Sequence, residues 1–204
     1  MNDSITKLNK NILAKKHWVF DMDGTLTIGV HDFDMMRSEL GLAPNSDILA
    51  TVQAMPSEQA TPIWEKINAM ESYFASLAKP MPGAFELLDH LQDKGANLGI
   101  LTRNVMHAAM QTLETCNLDG FFTAKDILDR NSCEPKPHPA GIQLLLAQWG
   151  AKPKDSVMVG DYLFDLEAGK AASVATIHIN TSEQYPWPHV TDWGIAHLHQ
   201  LIDR

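Results

Sequence analysis

The stretch VFDMDGTLT, residues 19–27, indicates the fold and raises the question of function. An apolar run ends there in two aspartates one residue apart, and a glycine and two threonines follow. Two carboxylates that lie close together in a buried place cost free energy unless a cation neutralises them or one of them is protonated. Asp21 and Asp23 therefore predict the end of a buried strand at which a cationic group is held.

Short apolar runs elsewhere predict further strands of the same kind. Besides HWVFD (17–21), these runs are NLGILT (97–102), SVMVGD (156–161) and VATIHI (174–179). Helical patterns lie between them, and one of these, PGAFELLDHLQDKG, begins near a proline and ends at a glycine, as helices commonly do. Strands that alternate with helices predict an α/β fold, a parallel sheet with helices on both faces.

The distance between the first two predicted strands indicates an insertion. Asp21 and Thr102 end these strands and lie 81 residues apart, whereas a strand–helix–strand unit needs only ~30 residues. The inserted residues, 29–79, contain three helical patterns: DFDMMRSELG, NSDILATVQAM and TPIWEKINAMESYFASLA. An insertion at this point would lie above the carboxyl edge of the sheet. We therefore predict a core formed by 1–28 and 80–204, and a small all-helical cap formed by 29–79.

Polar residues gather at the same predicted edge. Asp21, Thr102 and Asp161 each follow an apolar run, which places them at the carboxyl ends of strands, where open α/β sheets bind ligands. Asp165 lies one helical turn after Asp161, and Lys136 lies in the loop EPKPHP. Separate segments thus offer carboxylates, a hydroxyl and one lysine to one edge. This set suits a divalent cation and a phosphate.

Composition excludes some partners and favours a compartment. The 204 residues include 16 basic and 25 acidic side chains, a net charge of −9, which argues against nucleic acid or an anionic membrane as partner. No apolar run approaches the ~18 residues that predict a membrane span. The two cysteines, Cys116 and Cys133, form no CxxC pair, so we expect a cytoplasmic protein. The sequence carries no signature of an oligomeric state.

Four motifs together resemble the haloacid dehalogenase-like hydrolase superfamily. They are DMDGTLT (21–27), LT (101–102), Lys136 and GDYLFD (160–165), in that order. The resemblance implies a Rossmann-like core with a cap inserted after the first motif. LGILTRN, EPKPHPAGI and VMVGDYLFDLEAGKAA look most like the subfamily with helical caps of the phosphoglycolate phosphatase type, although this cap is short and Ser173 stands where relatives commonly have glycine.

The resemblance also implies a mechanism, that of a Mg²⁺-dependent phosphatase acting on a small phosphomonoester through an aspartyl-phosphate. Asp21 would be the nucleophile. Asp23 would protonate the leaving oxygen and then deprotonate the attacking water. The Asp21 carboxylate, the Asp23 backbone carbonyl and Asp161 would hold Mg²⁺.

Further residues have supporting roles in this hypothesis. Thr102 and Lys136 would hold the phosphoryl oxygens, and Asp165 would orient Lys136 or a metal-bound water. The candidate substrate contacts are Arg37, Arg103 and Asn104. Residues 29–79 contain three basic and seven acidic side chains, which favours a phosphomonoester with few other charges over a bisphosphate.

Other functions stay open at this point. A phosphomutase of the same superfamily shares all four motifs, and a non-catalytic phosphate-binding or regulatory module could retain most of them. A dehalogenase is disfavoured because it does not need the second aspartate, Asp23.

Overall fold

The centre of the protein is a six-stranded, fully parallel sheet in the order β3-β2-β1-β4-β5-β6. The computed structural model describes residues 10–202. Its strands are β1 (His17–Phe20), β2 (Asn97–Leu101), β3 (Ile127–Leu128), β4 (Ser156–Gly160), β5 (Ala175–Ile179) and β6 (Trp193–Ile195). The predicted α/β class with a Rossmann-like parallel sheet is confirmed.

Eight α-helices are described, and three of them lie between β1 and β2. The helices are α1 (Lys10–Leu13), α2 (Phe33–Glu39), α3 (Ile48–Gln53), α4 (Ser57–Leu77), α5 (Ala84–Asp93), α6 (Met106–Thr115), α7 (Ala140–Trp149) and α8 (Leu163–Ala171). No helix in the range 10–202 combines the length and the apolar character that a membrane span requires.

The sheet is buried on both faces, and β1 shows how its side chains divide between them. Trp18 and Phe20 belong to a cluster that includes Leu87 of α5 and Leu113 of α6. Val19 belongs to a second cluster, with residues of α7 and α8. Successive side chains of a strand point to opposite faces, so helices on both sides need an apolar residue at every position. This explains why β1 reads as a continuous apolar run.

The inserted helices have an apolar cluster of their own. It joins residues of α2, α3 and α4, among them Met36, Val52, Ile67 and Phe74, all of which are buried. The long helix α4 packs along α6 of the sheet layer. A helical cap that folds around its own apolar residues would have such a separate cluster. The division of the chain into a sheet domain and a cap formed by 29–79 stays a prediction.

The register of the sheet determines which residues meet at its carboxyl edge. Phe20, the last residue of β1, is level with Ile100 of β2 and with Val159 of β4. The chain continues from these positions to Asp21, Thr102 and Asp161. The backbone N–H of Asp21 still donates to the carbonyl of Val159, at 2.9 Å, so the first aspartate leaves the sheet from a fixed position.

The structure adds features that the sequence patterns did not predict. Strands β3 and β6 contain only two and three residues, too few to show a period. Ser173 adopts a positive φ of 60°, the left-handed conformation that glycine adopts most readily. Serine therefore keeps the backbone turn that the common glycine would make, with some strain.

Candidate active site

Asp21 and Lys136 form a buried ion pair at the carboxyl edge of the sheet. The Nζ atom of Lys136 lies 2.5 Å from Asp21 Oδ1 and 2.7 Å from Asp165 Oδ1. Burial alone would lower the pKa of Lys136, but the carboxylates of Asp165 and Asp21 outweigh it and the pKa is raised. The lysine is thus held as a cation between two carboxylates, although they lie 115 and 29 residues away along the chain.

Three carboxylates meet around this lysine. One oxygen from each of Asp21, Asp161 and Asp165 lies within 4.8 Å of the others. The backbone is shaped to allow this approach: a Cβ atom at Gly24, whose φ is +90°, would lie 2.3 Å from Asp161 Oδ2. A Cβ atom at Gly160 would lie 2.2 Å from the Cβ of Asp165. Glycine is therefore required at both positions.

Burial and neighbouring charges raise the pKa values of Asp161 and Asp165. Burial, followed by the neighbouring carboxylates of Asp21 and Asp165, raises the pKa of Asp161 to about 8. Burial also raises the pKa of Asp165 to about 6, against the opposing effect of Lys136. One lysine therefore does not compensate the negative charge of three carboxylates.

This donor set fits Mg²⁺. Carboxylate oxygens are the hard ligands that Mg²⁺ prefers, and a divalent cation beside them would offset both the burial and the neighbouring negative charges that raise the pKa of Asp161. Asp165 differs from the other two because it accepts hydrogen bonds from Lys136 and from the N–H of Tyr162, at 3.1 Å. Its geometry suits a residue that orients Lys136.

The Asp23 side chain lies outside the group of three carboxylates. Its Oδ2 atom accepts a hydrogen bond from Asn104 Nδ2 at 2.7 Å, and Thr27 Oγ1 lies 3.5 Å from Oδ1. Burial raises the pKa of Asp23, and the charge of Asp21 adds to the effect, whereas His31 and the Asn104 hydrogen bond lower it. A carboxyl group with increased proton affinity suits a general acid and base.

The segment after β2 contributes Thr102 and Asn104. Thr102 is buried, and its Oγ1 accepts a hydrogen bond from the backbone N–H of Asn104 at 3.1 Å. Asn104 does not cap helix α6. The backbone N–H groups at that helix start donate instead to Glu71 Oε2, from Val105 at 3.0 Å, and to Asp129 Oδ2, from Met106 at 3.1 Å.

A cavity of about 490 Å³ opens between this edge and helices α2 to α4. All nine sequence-predicted site residues line it: Asp21, Asp23, Arg37, Thr102, Arg103, Asn104, Lys136, Asp161 and Asp165. Arg103 forms a two-oxygen ion pair with Asp47 of the insertion, at 2.8 Å to each oxygen. Arg37 donates to Asp34 at 2.7 Å and to the carbonyl of Ser46 at 2.9 Å.

Sequence patterns missed three residues of this region. His31 lines the cavity with its Nδ1 atom 3.7 Å from Asp23 Oδ1. Glu71 of α4 forms a buried ion pair with Arg130, and burial raises the pKa of Glu71 against the effect of Arg130. No motif or period marked these residues: Arg130 and Glu71 lie 59 residues apart along the chain, and His31 follows Asp23 by eight residues in a segment without helix or strand.

The family model for haloacid dehalogenase-like hydrolases matches residues 36–179 of this chain. The pyrophosphatase PpaX of Anoxybacillus flavithermus is 32% identical over 174 residues, covering 78% of this chain and 80% of that protein. The N-acetylmuramic acid 6-phosphate phosphatase of Pseudomonas aeruginosa is 27% identical and covers 91% of this chain and 92% of its own length.

Solved structures show the same fold. The structure of a predicted phosphoglycolate phosphatase from Haemophilus somnus superposes with a TM-score of 0.73. It is 20% identical in sequence, and the match covers 92% of this chain and 96% of that one. At this identity the likeness concerns the fold alone.

Proposed function

This chain belongs to the haloacid dehalogenase-like hydrolase family and is a phosphoric ester hydrolase, and on that premise we propose a Mg²⁺-dependent phosphatase that acts through an aspartyl-phosphate on Asp21. One observation carries the proposal. Asp21 Oδ1 lies 2.5 Å from Nζ of the buried Lys136, while the side chain of Asp23, two residues later, is held apart from it and burial raises the pKa of Asp23. An aspartate paired with a lysine and a second carboxyl group with a raised pKa suit a nucleophile and an acid–base residue.

Asp21, Asp161 and the backbone carbonyl of Asp23 are the proposed ligands of Mg²⁺. The bound cation supplies charge neutralisation for the phosphate that approaches an anionic nucleophile. Asp165 Oδ1 contacts the Nζ atom of Lys136 at 2.7 Å, and this contact fixes the position of the ammonium group. The support for the two carboxylate ligands is that oxygens of Asp21 and Asp161 lie within 4.8 Å of each other and are of the kind that Mg²⁺ prefers; the carbonyl of Asp23 is proposed from the family resemblance.

The first chemical step transfers the phosphoryl group to Asp21. A carboxylate oxygen of Asp21 bonds to phosphorus as the ester P–O bond breaks, and the leaving oxygen takes the proton of Asp23. Lys136 and Thr102 bind the phosphoryl oxygens, which gain negative charge in the transition state.

The second step returns the enzyme to its first state. Asp23, now ionised, takes a proton from a water molecule whose oxygen bonds to phosphorus. The bond between phosphorus and the Asp21 oxygen breaks, inorganic phosphate leaves, and Asp23 again carries a proton.

The substrate side of the cavity favours a small ester without a second strong anion. The guanidinium groups of Arg37 and Arg103 already form ion pairs with Asp34 and Asp47. A second phosphate would have to break one of these pairs or be desolvated without a partner. Apolar residues such as Phe33 and Phe164 line the cavity as well, so a small neutral leaving group fits best.

The test is phosphate release from a panel of phosphorylated metabolites and from 4-nitrophenyl phosphate. We expect turnover with Mg²⁺, none in excess chelator, and inhibition by Ca²⁺, whose longer and looser coordination would misplace Asp21. Asp161→Asn is the matched variant and should need much more Mg²⁺ for the same rate. Full activity in excess chelator would refute the metal assignment, and isomerised products without phosphate release would indicate a phosphomutase.

A further inference from the structure

The imidazole of His31 is buried and makes no hydrogen bond to any of the residues 10–202 that the structure describes. Its side chain is only 8% exposed, and within that range neither Nδ1 nor Nε2 has a hydrogen-bond partner. A buried polar atom that makes no hydrogen bond usually costs stability. Such an atom beside an active site therefore indicates a partner that it gains at another stage of the reaction.

Aromatic rings of the inserted helices hold the imidazole in place. The Phe33 ring of α2 stacks on it at 5.7 Å between centroids, and the Phe74 ring of α4 lies 4.6 Å away. His31 itself lies in the segment that leads from the first motif into α2. The imidazole of His31 thus contacts other residues of the insertion on one side and faces a residue of the core on the other.

That core residue is Asp23. The separation of 3.7 Å between His31 Nδ1 and Asp23 Oδ1 exceeds the ordinary N–H···O range of 2.7–3.2 Å by about 0.5 Å. The other oxygen of Asp23 already accepts a hydrogen bond from Asn104 at 2.7 Å. Oδ1 has only the distant hydroxyl of Thr27, at 3.5 Å, so a small approach of the insertion toward the core would give this oxygen a closer donor.

We propose that His31 is a positioning residue for Asp23, and that its Nδ1–H donates to Asp23 Oδ1 when a phosphoester fills the cavity. The proposal rests on the proposed role of Asp23 as acid and base. With Asn104 on Oδ2 and His31 on Oδ1, the plane of the carboxyl group is fixed, and its proton is directed to the leaving oxygen. Because this hydrogen bond forms only when a phosphoester is bound, Asp23 is held in the position for proton transfer only when substrate is present.

Two substitutions separate this role from packing. His31→Phe keeps an aromatic ring between Phe33 and Phe74 but removes the donor. His31→Asn loses the ring but places an amide N–H near the position of Nδ1. If His31 only packs, His31→Phe should reduce kcat/KM less than His31→Asn. If His31 positions Asp23, His31→Asn should reduce kcat/KM less than His31→Phe.

The readout is kcat/KM with Mg²⁺ for phenyl phosphate and for 4-nitrophenyl phosphate. These esters differ in how much their leaving oxygen needs a proton. In His31→Phe, kcat/KM for phenyl phosphate should fall by about 10²-fold, as for other misplaced catalytic groups. The value for 4-nitrophenyl phosphate should change less than about threefold, because protonation contributes little there. His31→Asn should recover most of the loss, and thermal unfolding checks that each variant is folded.

Equal losses on both esters, or wild-type kinetics in His31→Phe, would overturn the proposal. A larger loss in His31→Asn than in His31→Phe would also overturn it, in favour of packing. These outcomes differ from a failure of the proposed function, in which the wild-type protein itself would hydrolyse neither ester with Mg²⁺.

Discussion

Replacing Arg130 by methionine should destabilise the protein by about 3–5 kcal/mol at pH 8, the usual cost of leaving a buried charge without its partner. The side chains of Arg130 and Glu71 are 8% and 5% exposed, so water screens the pair little. Methionine fills part of the volume of the arginine stem but loses the contact of the guanidinium group with the Trp64 ring, at 5.0 Å to the ring centroid. The unpaired carboxylate of Glu71 should still account for the largest part of the loss.

The deficit should depend on pH. Burial raises the pKa of Glu71 although Arg130 lowers it, so without Arg130 the pKa rises further. A carboxyl group whose folded pKa is raised stabilises the fold below its unfolded pKa, and that stability is lost as the pH rises through the folded pKa. The variant should thus be closer to wild type at pH 5 than at pH 8.

Urea unfolding curves at both pH values measure this effect. Arg37→Met is the control, because the partner Asp34 is 88% exposed; with the hydrogen bond to the Ser46 carbonyl also lost, it should cost about 1–2 kcal/mol and show no comparable dependence on pH. Adding Glu71→Gln to Arg130→Met should recover much of the stability at pH 8, since an amide is cheaper to bury than a charge. A loss below about 1 kcal/mol would show that Glu71 is not left as a costly buried charge, and a loss that is the same at both pH values would show that its protonation is not involved.

Three other results are expected. Gly24→Ala should lower kcat/KM by about 10²-fold, because the new Cβ would lie 2.3 Å from Asp161 Oδ2; near-normal kinetics would contradict this. Mg²⁺ affinity, measured by calorimetric titration, should weaken as the pH falls from 8 to 6, because burial and neighbouring carboxylates raise the pKa of Asp161 to about 8; a flat profile would count against the site. Replacing 29–79 by a short linker should change substrate preference more than activity on 4-nitrophenyl phosphate, and a folded variant that is inactive on every ester would show that the insertion supplies catalytic groups.

The sheet and its edge could be predicted because their residues follow local rules. A strand buried on both faces is mostly apolar, and β1, β2 and β4 each follow this pattern; β5 does so less strictly, because it includes the buried Thr176 and His178. Where such runs end in Asp21, Thr102 and Asp161, parallel pairing brings the polar ends together without further information. The two-residue strand β3 has no such pattern, since only pairing with β2 defines it.

The contacts between the insertion and the core could not be predicted. Glu71 belongs to a helix whose charges look solvated in sequence, and its partner Arg130 follows 59 residues later. His31 follows Asp23 by eight residues, in a segment without helix or strand, and no period relates the two. Such contacts depend on how the inserted helices sit on the sheet, which only tertiary packing determines.

The most direct test of the account is the mass of the protein after brief exposure to 4-nitrophenyl phosphate and Mg²⁺. Asp23→Asn should keep the nucleophile and lose the base that activates water, so a phosphoryl-enzyme should accumulate, with about 80 Da added. Peptide mapping should place the added mass on Asp21, and Asp21→Asn should show none. An adduct on another residue such as Thr102, or wild-type turnover in either variant, would contradict the roles assigned to the two aspartates.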